Sequence, residues 1–343
     1  MVEIQKKTKL LEGIRPDNIP WQDLMEACEP VLLKGLAKDW ALVKAGQESA
    51  QRAMAYLNAF YNGKTVGAYL GMPEIKGKYF YKSDLSGLNF ESQRLPLDQV
   101  LERIGEHLES GNPPSIYVGS TTLDACLPGL REHNDLVFDD PMFNDGKPLT
   151  SIWIGSPSIA SAHYDAPNNL ACCAVGRRRF TLFPPEQIEN LYPGPLDPTP
   201  GGQAVSMVEF SNPDFDRFPR FREALAAAQV AELEPGDAVF YPSLWWHQVE
   251  ALSPFNVLIN YWWNTSPQYM DTPMNVLYHA LLGLRDRPDH ERAAWKTIFD
   301  YYVFGNRERP REHLPEQAQG MLGPIDDIKA RQLRSMLLRK LNR

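Results

Sequence analysis

The chain has 343 residues, with 35 Lys and Arg against 43 Asp and Glu and a formal net charge of −8, so a nucleic acid is not the expected partner. No apolar run reaches the roughly 18 residues of a membrane span, and "MVEIQKKTKLLEG" lacks the apolar stretch of a secretory signal. Cys28, Cys126, Cys172 and Cys173 are too few and too irregular for a disulfide framework, and a reducing cytoplasm is expected.

In chain order, Trp21, Leu24, Met25 and Cys28 recur at helical spacing and predict a short helix over "IPWQDLMEACE". "PVLLKGL" predicts a buried strand ending at a glycine. "ESAQRAMAYLNAFYNG" predicts a helix closed by Gly63, and "KYFYKSDL" alternates as a strand does. "PLDQVLERIGEHLESG" predicts an amphipathic helix with Leu97, Val100, Leu101, Ile104 and Leu108 on its apolar stripe. From "SIYVGS" to "VLINYWW", apolar runs recur between Pro, Gly and Asn, the pattern of an all-β barrel or jelly roll. One excursion, Pro184–Ala231, is rich in Pro and aromatic residues and too long for a hairpin turn, which suits a substrate-contacting insert. After Trp263, helices are expected in "MNVLYHALLGL", "ERAAWKTIFDYYVF" and "IDDIKARQLRSMLLRKLNR". The last carries Ile325, Ile328, Leu333, Met336, Leu337 and Leu341 as an apolar stripe, which must pack on the barrel or on a second copy of the chain.

His163-Tyr164-Asp165, with His247 in "FYPSLWWHQV" 84 positions after His163, has the composition of a 2-His-1-carboxylate ligand set. His-x-Asp puts two ligands on the same face of a strand, and a later strand of the same barrel can return the third. Three protein ligands leave coordination positions open, as catalytic Fe(II) requires; structural zinc takes a closed set of four. His107, His133, His279, His290 and His313 fall in helical or loop contexts and are expected at the surface or in packing.

"IASAHYDAPNNLACCAVGRRRFTLFPP", "FTLFPPEQIENLYPGP", "FSNPDFDRFPRF", "EPGDAVFYPSLWWHQVEAL", "LINYWW" and the earlier "EPVLLKGLAKDW" occur in an order that resembles the JmjC-like, cupin-type oxygenases. Within that family the segments resemble most the asparaginyl hydroxylase that acts on hypoxia-inducible factor. The resemblance covers roughly residues 15–265. It implies a mainly β fold with flanking helices. A double-stranded β-helix (jelly-roll, cupin-like) core would lie at about 115–265, with N-terminal α/β decoration. Residues 1–265 would form the oxygenase domain, with the insert at about 184–231, and 266–343 a C-terminal helical region serving as a dimerisation element.

The resemblance also implies Fe(II), O2 and the co-substrate 2-oxoglutarate, with His163, Asp165 and His247 as ligands and catalytic centre. Arg178 stands where the family commonly has a lysine for the distal carboxylate, and a guanidinium can grip that group bidentately. Tyr117 and Asn169 would donate to the co-substrate, and Asn260 would line its pocket. Arg177 and Arg179 would be solvated on the opposite face, and Trp245, Trp246, Trp262 and Trp263 would mostly pack as core. A hydroxyl three residues before the first histidine is replaced by Ala160, which Ser158 or Ser161 could offset.

The expected reaction is hydroxylation of a protein or peptide side chain, with 2-oxoglutarate decarboxylated to succinate and CO2. An N-methyl demethylase or an RNA-modifying oxygenase would use the same machinery, and a non-catalytic metal-binding cupin scaffold is the reading from another class. Ala204 and Val205 replace a polar pair that contacts the substrate asparagine in the resembled hydroxylase, and Gln203 is two positions off. The side chain oxidised is therefore open.

Overall fold

The structure, a computed structural model, describes residues 4–144 and 146–342. It divides into two compact units, Met1–Asn264 and Thr265–Arg343. The first unit contains strands β1 (Lys9–Leu11), β2 (Val31–Leu33), β3 (Thr65–Gly71), β4 (Lys78–Tyr79), β5 (Glu91–Pro96), β6 (Ser115–Thr122) and β7 (Leu149–Gly155). These are followed by β8 (Ser158–Tyr164), β9 (Asn168–Val175), β10 (Arg178–Phe183), β11 (Gln229–Leu233), β12 (Ala238–Tyr241), β13 (Trp246–Ala251) and β14 (Asn256–Trp263).

Among the described residues these strands form two sheets, one ordered β1-β2-β12-β9-β14-β7-β6-β3-β5 and the other β11-β10-β13-β8-β4. From β7 to β14 the chain passes repeatedly between the sheets, and the pairs β9–β14, β7–β14, β9–β12, β8–β13 and β10–β13 are antiparallel. This is the jelly-roll core expected from the strand pattern. Between the sheets lie Ala171, Cys173, Phe180, Leu182, Leu233, Val239 and Tyr241, drawn from both. All of β9 is buried, because its other face is covered as well. There Leu170, Cys172 and Ala174 share a core with helices Trp21–Ala27, Ala41–Glu48, Ala50–Ala59 and Leu97–Gly105. The two adjacent cysteines thus face opposite sides of one strand and pack as small apolar groups.

Local chemistry explains where the sequence reading differs. The stretch around "ESAQRAMAYLNAFYNG" is two helices: Ser49 is extended, and its side chain accepts from the Arg52 N–H, ending one helix and capping the next. Cys28 does not join the apolar stripe. It is the exposed left-handed residue that ends its helix. In "KYFYKSDL" only Lys78 and Tyr79 pair as a strand; beyond them the Asn89 side chain accepts from the Phe80 N–H and donates to the Lys78 carbonyl, in the manner of a neighbouring strand.

The insert ends before Gln229, because Gln229–Ala231 belong to β11. Many of its aromatic residues are not free to grip a peptide. Phe210 and Phe221 lie in a small core with Phe183 of β10 and Trp246 of β13, and Phe215 and Phe218 pack against it.

The second unit holds helices Pro273–Gly283, Asp289–Phe299 and Asp327–Leu341. Only Ala330 is buried on the last of these, while Ile328, Leu337 and Leu341 of the predicted stripe are exposed. No helix among the described residues is long and apolar enough to cross a membrane.

Candidate metal centre and anion pocket

β8 and β13 lie side by side with His163 directly opposite His247, their ring centroids 4.4 Å apart. Asp165 is the first residue beyond β8, so the His-x-Asp triplet straddles the end of the strand and does not lie wholly within it. The loop between β12 and β13 holds that carboxylate in place. Leu244, at φ +66, donates its N–H to the Asp165 carbonyl, and Ser243 Oγ donates to the Ala166 carbonyl. Asn168 Oδ1 accepts the Ser243 N–H, which ties the two ligand-bearing segments together. Asp165 Oδ2 then lies 3.6 Å from His247 Nε2. One ligand atom from each of His163, Asp165 and His247 falls within a 4.8 Å cluster.

Hydrogen bonds fix the imidazole tautomers. His163 Nδ1 lies 2.8 Å from the Ser161 carbonyl, and His247 Nδ1 lies 3.0 Å from the Trp245 carbonyl. A carbonyl can only accept, so both Nδ1 atoms carry hydrogen and Nε2 is the ring nitrogen left to face the cluster. Burial, helped by the neighbouring His163, pushes the His247 pKa down to about 4 against the pull of Asp165, so this ring is neutral at pH 7. The Nε2 atoms of the two histidines and the one carboxylate suit a divalent first-row ion with open positions.

These three residues line a cavity of about 290 Å³ between the sheets, together with Tyr117, Asn169, Arg178 and Asn260. All seven residues singled out from the sequence are therefore at one place. Arg178 is 3% exposed, and its Nε and Nη2 have no hydrogen-bond partner among the described residues. Burial lowers its pKa. A buried guanidinium without a counter-ion is unfavourable, and an anion reaching this end of the cavity would relieve that cost. Tyr117 packs closely on β7 at Gly155, where an added Cβ would sit 2.8 Å from the Ile116 carbonyl and 3.0 Å from the Tyr117 ring. Burial raises the Tyr117 pKa, opposed by the Arg178 charge, and it stays a protonated donor.

Among the neighbours, Arg179 differs from expectation. Arg179 is mostly buried and lies 3.9 Å from the Glu250 carboxylate, so it is not a solvated residue; Arg177 is exposed as expected. Trp262 lines the cavity, while Trp245, Trp246 and Trp263 are buried in core clusters. Ser158 and Ser161 both reach the cavity wall, and Ser161 Oγ is buried without a partner among the described residues.

The sequence reading missed Trp153 and Tyr241. Trp153 Nε1 donates to Asn260 Oδ1 at 2.8 Å, Asn260 Nδ2 to Asn169 Oδ1 at 3.2 Å, and Asn169 Nδ2 to Tyr241 Oη at 2.6 Å. Both residues read as ordinary strand aromatics, and only an inward parity shared with Asn260 and Asn169 could have marked them.

Residues 16–269 match the family described as a cupin-like domain. The lysine-specific demethylase JMJ31 of Arabidopsis thaliana is 37% identical over 142 residues, 38% of this chain and 25% of its own length. Human HSPB1-associated protein 1 is 40% identical over 149 residues, 42% of this chain and 30% of its own. The chain thus spans less than a third of either relative. Human tRNA wybutosine-synthesizing protein 5 is 26% identical over 329 residues, 92% of this chain and 94% of its own. With three quarters of its length matched and a jelly-roll core around the site, the chain belongs to the cupin-like family, as a JmjC-type domain.

Proposed function

We propose that the protein is an Fe(II)- and 2-oxoglutarate-dependent oxygenase. The observation that carries this reading is an unpartnered, buried Arg178 in the same cavity as the His163, Asp165 and His247 donor set. Fe(II) bound there would supply the O2 chemistry that couples oxidation of a substrate C–H bond to decarboxylation of 2-oxoglutarate. Arg178 would hold the distal carboxylate of the co-substrate, with Tyr117, Asn169 and Asn260 as further polar contacts. The aromatic wall of Tyr69, Tyr79, Tyr117, Trp153 and Trp262 keeps water from the reacting face.

For the substrate, we favour a protein or peptide side chain. The acidity of the chain is concentrated in the unit that holds the cavity: Thr265–Arg343 has 13 Lys and Arg against 10 Asp and Glu, and the rest has 22 against 33. Such a unit repels phosphate and attracts a basic polypeptide. Hydroxylation and N-demethylation are both open on this reading, and JMJ31 is named for the latter. Asparagine is the less favoured target, because Ala204 and Val205 are buried apolar residues and, of the described insert residues, Gln203 alone brings an amide to the cavity. An RNA substrate is the second reading, supported by the match to a tRNA wybutosine-synthesizing protein over 92% of this chain and 94% of that one.

We also place the protein in a reducing, cytoplasmic setting, in keeping with its four free cysteines. Self-association through the C-terminal unit is proposed from its exposed apolar residues, Leu282 and Phe304 among them.

The test is succinate formation from 2-oxoglutarate with and without Fe(II), in wild type and His163→Ala. Turnover that needs both Fe(II) and His163 separates an oxygenase from a metal-binding scaffold. Incubation of peptide and RNA pools with 18O2 then decides between the substrate classes.

A further inference from the structure

We propose that Tyr241 is an additional co-substrate-binding residue, presenting its O–H to the carboxylate at the keto-acid end, and that the Trp153 indole fixes that polarity. The inference rests on the 2-oxoglutarate reading above.

The argument begins at Trp153, because an indole N–H can only donate. Its partner Asn260 must therefore turn its oxygen toward Trp153, at 2.8 Å. That leaves the Asn260 amide nitrogen to face Asn169, whose oxygen accepts at 3.2 Å. Asn169 is in turn left with its nitrogen toward Tyr241, 2.6 Å from the phenol oxygen. Taken singly, each amide could be flipped; the indole at one end removes that freedom from both. The tyrosine oxygen accepts, so its hydrogen must point elsewhere.

No described residue takes that hydrogen. Tyr241 is 4% exposed and lines the cavity, with its ring centroid 4.6 Å from that of His247. A buried hydroxyl hydrogen without an acceptor is unfavourable, and a hydroxyl that already accepts a hydrogen bond is a stronger donor. The same cavity wall holds the unpartnered Arg178 nitrogens and Ser161 Oγ, and together these groups are a receptor for carboxylate. Contact with His247 assigns Tyr241 to the end of the co-substrate nearest the metal ligands. Arg178 pairs with Ala251, four residues along β13 from His247, and so serves the far end.

The test is calorimetric titration of the zinc-loaded, full-length protein with 2-oxoglutarate and with oxalate, which carries a keto-acid-like end but cannot reach Arg178. Tyr241→Phe should weaken both ligands about tenfold or more, the loss of one hydrogen bond to a charged group. Arg178→Leu should weaken 2-oxoglutarate alone. Trp153→Phe should also weaken both ligands, but should cost nothing further once Tyr241 is Phe. A purely structural Trp153 would cost the same in both backgrounds, and that result would overturn the positioning role. Unchanged oxalate binding by Tyr241→Phe would overturn the proposal itself. Should that variant not fold, Trp153→Phe with oxalate decides alone. A wild-type protein that takes up oxalate but no 2-oxoglutarate would instead remove the co-substrate reading and leave the Tyr241 donor standing.

Discussion

Ala160 lies directly opposite Val249, although His163 lies opposite His247. β13 advances two residues between those pairs and β8 advances three, so β8 carries one extra residue there. The bulge overrides strict alternation and turns the residue three places before His163 into the cavity. Across the sheet the rows read Leu182–His247–His163, then Phe180–Val249–Ala160, then Arg178–Ala251–Ser158. Ala160 therefore stands midway between the His163–His247 pair and the Arg178 guanidinium, on the path that the proposed 2-oxoglutarate would follow.

A hydroxyl at that midpoint should improve co-substrate binding. Ala160→Thr is expected to lower the dissociation constant for 2-oxoglutarate severalfold, the value of one added hydrogen bond, while leaving metal affinity unchanged. Ala160 is only half-buried at the cavity wall, so without co-substrate the new hydroxyl can bond water and the same variant should melt close to wild type. Calorimetric titration and a thermal melt check both halves; weaker 2-oxoglutarate binding would mean the methyl group obstructs the path.

Arg178 offers the opposite trade. As a buried cation with no counter-ion among the described residues, it costs the ligand-free fold stability. Arg178→Leu should raise ligand-free stability by roughly 1 kcal/mol or more in denaturant unfolding. It should also abolish the stabilisation of about 2.7 kcal/mol that wild type gains from co-substrate at a hundred times its dissociation constant. Equal stabilisation of both proteins by 2-oxoglutarate would show that another cation holds the distal carboxylate.

Much of this site was legible because its residues sit in strands, or at the end of one for Asp165, whose flanking segments are ordered and distinctive. His163, Asp165, His247, Tyr117, Asn169, Arg178 and Asn260 are all at the cavity. What could not be read depends on contacts between distant strands. The bulge beside Ala160 is a property of the β8–β13 pair, and the Trp153–Tyr241 relay joins β7, β14, β9 and β12. Arg179 was misjudged for the same reason, since Glu250 lies across on β13. In the fold, β3 and β5 went unread: β3 is broken by glycines, and β5 is an exposed edge strand with little apolar pattern.

Glu209 in the insert pairs with Lys78 of β4 and accepts from Ser211. Burial alone would raise its pKa, but the Lys78 and Ser211 hydrogen bonds outweigh it and hold the carboxyl below its usual range. The folded state then binds this proton less readily than the unfolded state, so the contribution to stability is present above the ordinary carboxylate pKa and is lost as pH falls through the lowered one. Glu209→Gln should therefore be less stable than wild type at pH 7, by no more than about 1 kcal/mol for a partly exposed pair, with the gap closing in acid. Urea unfolding from pH 7 down to pH 3 measures it. A difference that persists unchanged in acid would assign the effect to packing.

Self-association is the last expectation. In the C-terminal unit Leu282 is 81% exposed and Phe304 76%, and Ile328, Leu337, Leu338 and Leu341 are exposed along one terminal helix. Apolar groups so numerous on a short helical unit gain most from burial against an equivalent surface, and a two-fold axis brings identical patches together. The full-length chain should therefore sediment as a dimer at micromolar concentration. Leu338→Glu combined with Leu341→Glu should shift it toward monomer, because each new carboxylate would have to lose water without a partner. Zinc uptake by this double variant should be unchanged, since His163, Asp165 and His247 all lie in the first unit. A wild-type chain that runs as a monomer across that concentration range would overturn the expectation.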